Sequence, residues 1–323
     1  MKKIVLLAVL TLALCVPALA QEDLTVILDY VANTNHTGLY VALDQLWYKD
    51  EGLDIHIVEP TGGATGTLIA VGAGQIGISY QEDVTVARAA EEPLPIRAIA
   101  AIIQHNTSGF ASFAGRGIAS PKDFEGKTYA GWGGPGEEAV LRAVMERAGA
   151  DFNKLDRVIS DGTGFAALKD RADIMWFYEA WDNVKCSVNG FPIDYMPIKD
   201  LDPRLDYYTP VVITSEDMIA NRPDALRAFL RATTRGYAYA AAHPDEAAKI
   251  LAKYAPDYDI EMLTQSQRYL ADKYIDDAPR FGEMKQGVWD AYTGFCLEYG
   301  VIARTIAADQ LFTNEFLPEA HEP

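Results

Sequence analysis

Short apolar or alternating runs take turns with stretches of helical periodicity along most of this chain. Residues 24–29 predict a strand, the polar turn Asn33-Thr34-Asn35-His36 leads into a helix over 39–43, and 53–58 alternates as a second strand. The same rhythm continues with a helix over 67–71, a strand over 76–80, a helix over 82–90 and a buried strand over 96–103. It then repeats. Strands are predicted over 127–131, 157–160, 173–178 and 193–198, with helices over 136–147 and 165–169. A strand over 210–214 leaves this second unit, and the rest is helical, with Pro223 placed well for a first helical turn.

Alternating strands and helices predict an α/β fold with doubly wound parallel sheets. Two such units and a helical tail imply a bilobal molecule. The first lobe is expected to hold residues 21–107 and 211–323, the second 108–210, with crossovers near 106–112 and 206–214. Ligands of such sheets bind beyond the carboxyl ends of the strands, so the loops there should line a cleft.

The first twenty residues read differently. Lys2 and Lys3, an apolar run from Ile4 to Cys15 and the small-residue stretch ending at Ala20 have the layout of a cleavable secretory signal, so a periplasmic location is expected. Leu14 is bulkier than the residue that usually precedes a lipidated cysteine, so Cys15 is not expected to carry a lipid anchor. Acidic residues outnumber basic ones 46 to 28, a net charge of −18 that repels phosphate backbones and excludes nucleic acid as a partner. Cys186 and Cys296 are too few and too far apart for a disulfide framework or zinc site, and are expected to be buried thiols.

Gly72-Ala-Gly-Gln-Ile-Gly77 matches a dinucleotide fingerprint, but it follows a helix and precedes a strand, the reverse of what that motif needs. Gly62-Gly63 before a helix could offer N–H groups to an anion. The histidines lack metal-binding spacing and no nucleophile elbow is present, which argues against hydrolase and zinc chemistry. Neither a metal nor any other cofactor is expected.

The informative chemistry lies at the predicted strand ends: Asn33–His36, Tyr80–Asp83, Trp132, and Tyr178–Asp182. Aromatic faces beside carboxylates and amides suit a flat, nitrogen-rich ring, which stacks on the former and donates to the latter. Candidate ligand contacts are therefore Asn35, His36, Tyr40, Tyr80, Glu82 and Asp83 from the first lobe. Trp132, Glu137, Glu179, Trp181 and Asp182 are the candidates from the second.

The phrases Asn33-Thr-Asn-His-Thr-Gly-Leu-Tyr-Val-Ala42, Tyr48-Lys-Asp-Glu-Gly-Leu-Asp54, Tyr80-Gln-Glu-Asp83, Leu94-Pro-Ile96 and Phe124-Glu-Gly-Lys127 resemble the solute-binding proteins of ABC importers for thiamine pyrimidine precursors. That resemblance spans the chain after the leader, through Asp206-Tyr-Tyr-Thr-Pro210 and Asn221-Arg-Pro223. It implies a type II periplasmic-binding-protein fold acting as a monomer, a small aminopyrimidine ligand such as formylaminopyrimidine or hydroxymethylpyrimidine, and delivery to an ABC permease. Sulfonate, taurine and nitrate binders of the wider superfamily are the alternative, which the acidic strand ends disfavour. Hydroxymethylpyrimidine phosphate synthases also resemble this fold. They carry a lysine and a histidine for pyridoxal phosphate where this chain has Gly77–Asp83, and cysteines where it has Leu205–Pro210, so a non-enzymatic role is expected.

Overall fold

The structure is a computed structural model that describes residues 21–160, 169 and 171–319. The leader with Cys15, and all of the predicted helix over 165–169 except Lys169, lie outside the described residues.

Ten strands are described: β1 (Glu22–Ile27), β2 (Leu53–Val58), β3 (Ile76–Ser79), β4 (Ile96–Ala101), β5 (Ser108–Phe113), β6 (Thr128–Gly131), β7 (Asp156–Ile159), β8 (Ile174–Tyr178), β9 (Ile193–Pro197) and β10 (Val211–Ser215). Among the described residues they form two five-stranded sheets, in the orders β2-β1-β3-β10-β4 and β7-β6-β8-β5-β9. The sheets are mixed, where the sequence pattern suggested parallel ones. β10 runs antiparallel to β3 and β4, and β5 runs antiparallel to β8 and β9. The registers give the reason. Val211 opens β10 opposite Ser79, the last residue of β3, and Ser108 opens β5 opposite Tyr178, the last of β8. Each crossing chain thus enters its new sheet at the carboxyl end of the parallel strands and must run backwards through it. β5 itself is a strand where the sequence suggested only a crossover.

Alternation places successive β1 side chains on opposite faces. Leu24, Val26 and Leu28 enter the core beneath the helical tail, while Ile27 faces Ile69, Val84 and Ile213. The tail's long helix, Pro223–Ala242, crosses helix Thr37–Asp44 where Gly38 meets Gly236 and the Tyr237 ring. A Cβ on either glycine would overlap its partner, so this close approach requires both. Helix Gln286–Glu298 sends Trp289, Tyr292, Phe295 and Cys296 into a core that also holds second-lobe residues Phe110 and Trp176. Cys186 and Cys296 are free, buried thiols.

The two crossovers are tied together. Asp206 accepts hydrogen bonds from the Asn106 amide (2.8 Å) and from His105 Nδ1 (2.7 Å), and the Asn106 side chain donates to the Leu205 carbonyl (2.9 Å). Gln81, at the head of helix Gln81–Ala89, grips the second crossover, donating its amide to the Tyr208 carbonyl and accepting from the Tyr208 amide at 2.9 Å. No helix among the described residues is long and apolar enough to cross a membrane.

Candidate functional site

The site begins at the carboxyl end of β1. Asp29 is buried, and its Oδ1 lies 2.7 Å from His36 Nε2. The Asn33 amide donates to His36 Nδ1 (3.2 Å) while Asn33 Oδ1 accepts from the Asn35 amide (2.9 Å), a capping box around the short helix Thr34–His36. Because Nδ1 accepts, Nε2 carries the proton and donates it to Asp29. Burial alone would raise the Asp29 carboxyl, but its pairing with His36 and hydrogen bonds from His36 and Tyr80 hold it below the ordinary carboxylate range. Both His36 nitrogens are thereby engaged. Asn35 presents its carbonyl to the Tyr237 hydroxyl (2.7 Å), and Tyr40 stacks on Tyr254 with ring centres 4.7 Å apart, within the first lobe.

Behind β3, Tyr80, Glu82 and Asp83 come together. Tyr80 hydrogen-bonds Asp29 and is pushed well above the ordinary phenol range by burial and then by Asp29. Asp83 accepts from Ser79 Oγ at 2.9 Å, and Glu82 accepts from the Tyr292 hydroxyl at 3.1 Å. Asp83 is raised, first by burial. Glu82 is pushed up to about 7 by burial, then by its neighbour Asp83 and the more distant Glu137.

The second lobe meets this group from β6 and β8. The Gly131–Gly134 loop is organised by Glu137, which accepts from the Tyr129 hydroxyl (2.5 Å), the Gly133 amide (2.6 Å) and the Trp132 amide (3.2 Å). Burial still raises its carboxyl above the usual value. Trp132 lies 54% exposed at the carboxyl end of β6, its ring centre 5.3 Å from that of Trp176 at a steep angle. Gly136, in the first turn of helix Pro135–Arg147, touches the Glu82 carboxylate across the seam. A cavity of about 370 Å³ opens there, lined by Glu82, Asp83, Val86, Leu94, Pro135 and Gly136.

On the other flank of the seam, the turn Glu179–Asn183 leans on the helical tail. Ser266 donates to the Ala180 carbonyl and pairs with Thr34 Oγ1 (2.6 Å), and Glu179 hydrogen-bonds Tyr269. Trp181 meets the Tyr258 ring at 4.9 Å and carries the Lys185 ammonium 4.4 Å over its own ring. Asp182 accepts from the Tyr178 amide at 2.9 Å and is raised by burial.

The structure therefore gathers Tyr80, Glu82, Asp83 and Glu137 at the centre and sets Trp132 at the rim. Glu179, Trp181 and Asp182 lie along the lobe contact, His36 sits behind Asp29, and Asn35 and Tyr40 face the first lobe's own helices. Asp29, Tyr207 and Tyr292 join the central group without having been singled out in the sequence, and Tyr178, which opens the Tyr178–Asp182 strand end, joins it too. Tyr207 is buried and Tyr178 half-buried, and both phenols are raised first by burial, with Glu82 adding to the rise. Asp23, Asp54 and His56 form the one three-residue grouping among the described residues that could hold a metal ion, but they stand at the amino ends and along the outer edge of β1 and β2, away from the cleft.

Chains of this kind are already known. A formylaminopyrimidine-binding protein from Halalkalibacterium halodurans is 28% identical over 96% of this chain and 96% of its own. A 4-amino-5-hydroxymethyl-2-methylpyrimidine phosphate synthase from Legionella pneumophila is 22% identical over 93% of each. Among solved structures, the periplasmic nitrate-binding protein NrtA of Synechocystis PCC 6803 superposes with a TM-score of 0.73 at 13% identity, covering 93% of this chain and 88% of that one. Two mixed sheets joined by two crossovers are the type II periplasmic-binding-protein architecture. The family described as NMT1/THI5 like matches residues 33–247, and with the fold and cleft in agreement the chain belongs to that family.

Proposed function

We propose that this protein is the extracytoplasmic solute-binding component of an ABC importer. Its lobes, residues 21–107 with 211–323 and residues 108–210, close on one small aminopyrimidine of the thiamine-precursor class, such as formylaminopyrimidine or hydroxymethylpyrimidine. It hands that ligand to a membrane permease without chemical turnover. The leader ending at Ala20 would export it to the periplasm, where it works as an unlipidated monomer. The observation that carries the reading is the lining of the seam: among the described residues, no basic side chain lines the cavity at Glu82, Asp83 and Gly136. Such a lining favours amino and ring N–H donors. An anion such as nitrate or a sulfonate would cost several kcal/mol beside these carboxylates. The formylaminopyrimidine-binding relative supports the same choice. Tyr80, Glu82, Asp83, Trp132 and Glu137 are assigned as direct contacts, with Trp132 supplying the stacking face.

Thermal unfolding with a panel of hydroxymethylpyrimidine, formylaminopyrimidine, thiamine, taurine and nitrate tests this. An aminopyrimidine at about one hundred times its Kd should add about 2.7 kcal/mol of stability, while the anions add none. Stabilisation by the anions alone would overturn the assignment.

A further inference from the structure

Glu82 is faced from several elements at once. Asp83 stands beside it on its own helix, Tyr292 and Cys296 approach from helix Gln286–Glu298, and Tyr207 approaches from the second crossover. From the second lobe come Tyr178 at the end of β8, Glu137, and the Gly136 backbone that the carboxylate touches. None of these is a base that could neutralise a carboxylate. The second-lobe groups reach Glu82 only when the lobes are together, because they belong to the other sheet and its loops. Opening the cleft would draw Gly136 and Glu137 away from the carboxyl group and expose it on that side.

We propose that closing the lobes takes up one proton at Glu82, so that the site receives a neutral nitrogen heterocycle whose ring nitrogen shares that proton. This rests on the ligand reading above for the identity of the base, but the proton belongs to closure itself. The proton comes from solvent and no other bond is made or broken. In the closed protein the Glu82 carboxyl stands at about 7, against 4.5 for a free glutamate. A group raised in the closed state favours closure fully below the open-state value and loses that advantage as pH rises through the closed-state one. Affinity for a neutral base should therefore fall by up to about tenfold per pH unit between the open-state value of about 4.5 and the closed-state value of about 7, and level off above it. The cavity beside Glu82 and Gly136 gives the shared proton room for a ring substituent.

The test is calorimetry of 4-amino-5-hydroxymethyl-2-methylpyrimidine binding at about pH 6, between the open-state and closed-state values, in buffers of different ionisation enthalpy, for the wild type and Glu82→Gln. The expected result is uptake of about one proton by the wild type and none by the variant, whose affinity is flat with pH. Binding to the wild type without proton uptake overturns the proposal, and so does undiminished uptake by Glu82→Gln. If no aminopyrimidine binds at any pH, the ligand reading falls, and the ligand-free protein decides the proton claim by small-angle scattering. Its radius of gyration must then contract on acidification in the wild type and not in Glu82→Gln, and a radius unchanged by pH overturns the proposal.

Discussion

His36→Ala is expected to destabilise the fold by about 3–5 kcal/mol, the cost of breaking a buried polar pair from one side. Asp29 would keep its buried position and lose its closest donor, while the Asn33 amide would lose the ring nitrogen that completes the capping box. The charge left on Asp29 is the larger part of that cost. Asp29→Asn combined with His36→Ala should therefore lose less than the two single changes added together. The pH dependence fixes the sign. Asp29 is held below its ordinary value of 3.8 in the wild type, so the stability it contributes is fully present above that value and is lost as pH falls below it, through the lower folded-state value. In His36→Ala, burial unopposed by the imidazole puts the folded-state value above the ordinary one, and protonation then relieves the variant. The stability gap between the two proteins should narrow on acidification from neutral pH toward about 4. Urea unfolding across that range measures it, and a gap that widens would mean that Asp29 and His36 are not coupled as described.

The same residues show what could be read from the sequence and what could not. The strands announced themselves because alternating or wholly apolar runs have few other uses, and their ends pointed to Tyr80, Glu82, Asp83 and Glu137. β5 escaped because Ser108-Gly-Phe-Ala-Ser-Phe113 lacks a clear alternation, and its burial comes from β8 and β9 on either side. His36 read as a ligand contact, although Asn33 and His36 stand at the spacing of a capping box, which uses both side chains locally. Tyr292 had no local signal at all. It lies 210 residues from Glu82 and reaches it because the tail helix packs back against the first lobe. Tyr207 similarly depends on the grip of Gln81 on the crossover, which no pattern of apolar positions records.

Trp181→Ala is expected to weaken every ligand by one common factor, on the order of a hundredfold, or about 2–3 kcal/mol. The stacking role suggested by the sequence would instead make the loss depend on the ligand's ring. In the structure the Trp181 ring is occupied by Lys185 above it and Tyr258 at its edge, and the side chain packs on the first lobe's core. Tyr258 belongs to the tail and Trp181 to the second lobe, so this contact is made when the cleft closes. Removing it withdraws stabilisation from the closed state alone, and apparent affinity falls in proportion to the closed population whatever the ligand's chemistry. Dissociation should quicken while association changes little, because encounter occurs with the open form. Trp181→Phe, which keeps an aromatic edge for Tyr258, should recover part of the loss. Trp132→Ala provides the contrast: among the described residues no protein ring is stacked on it, so its effect should vary with the size and electronics of the heterocycle. Calorimetry of both variants with hydroxymethylpyrimidine and formylaminopyrimidine separates the roles. A ligand-dependent loss in Trp181→Ala would return that ring to the binding surface, and no loss would remove it from closure as well.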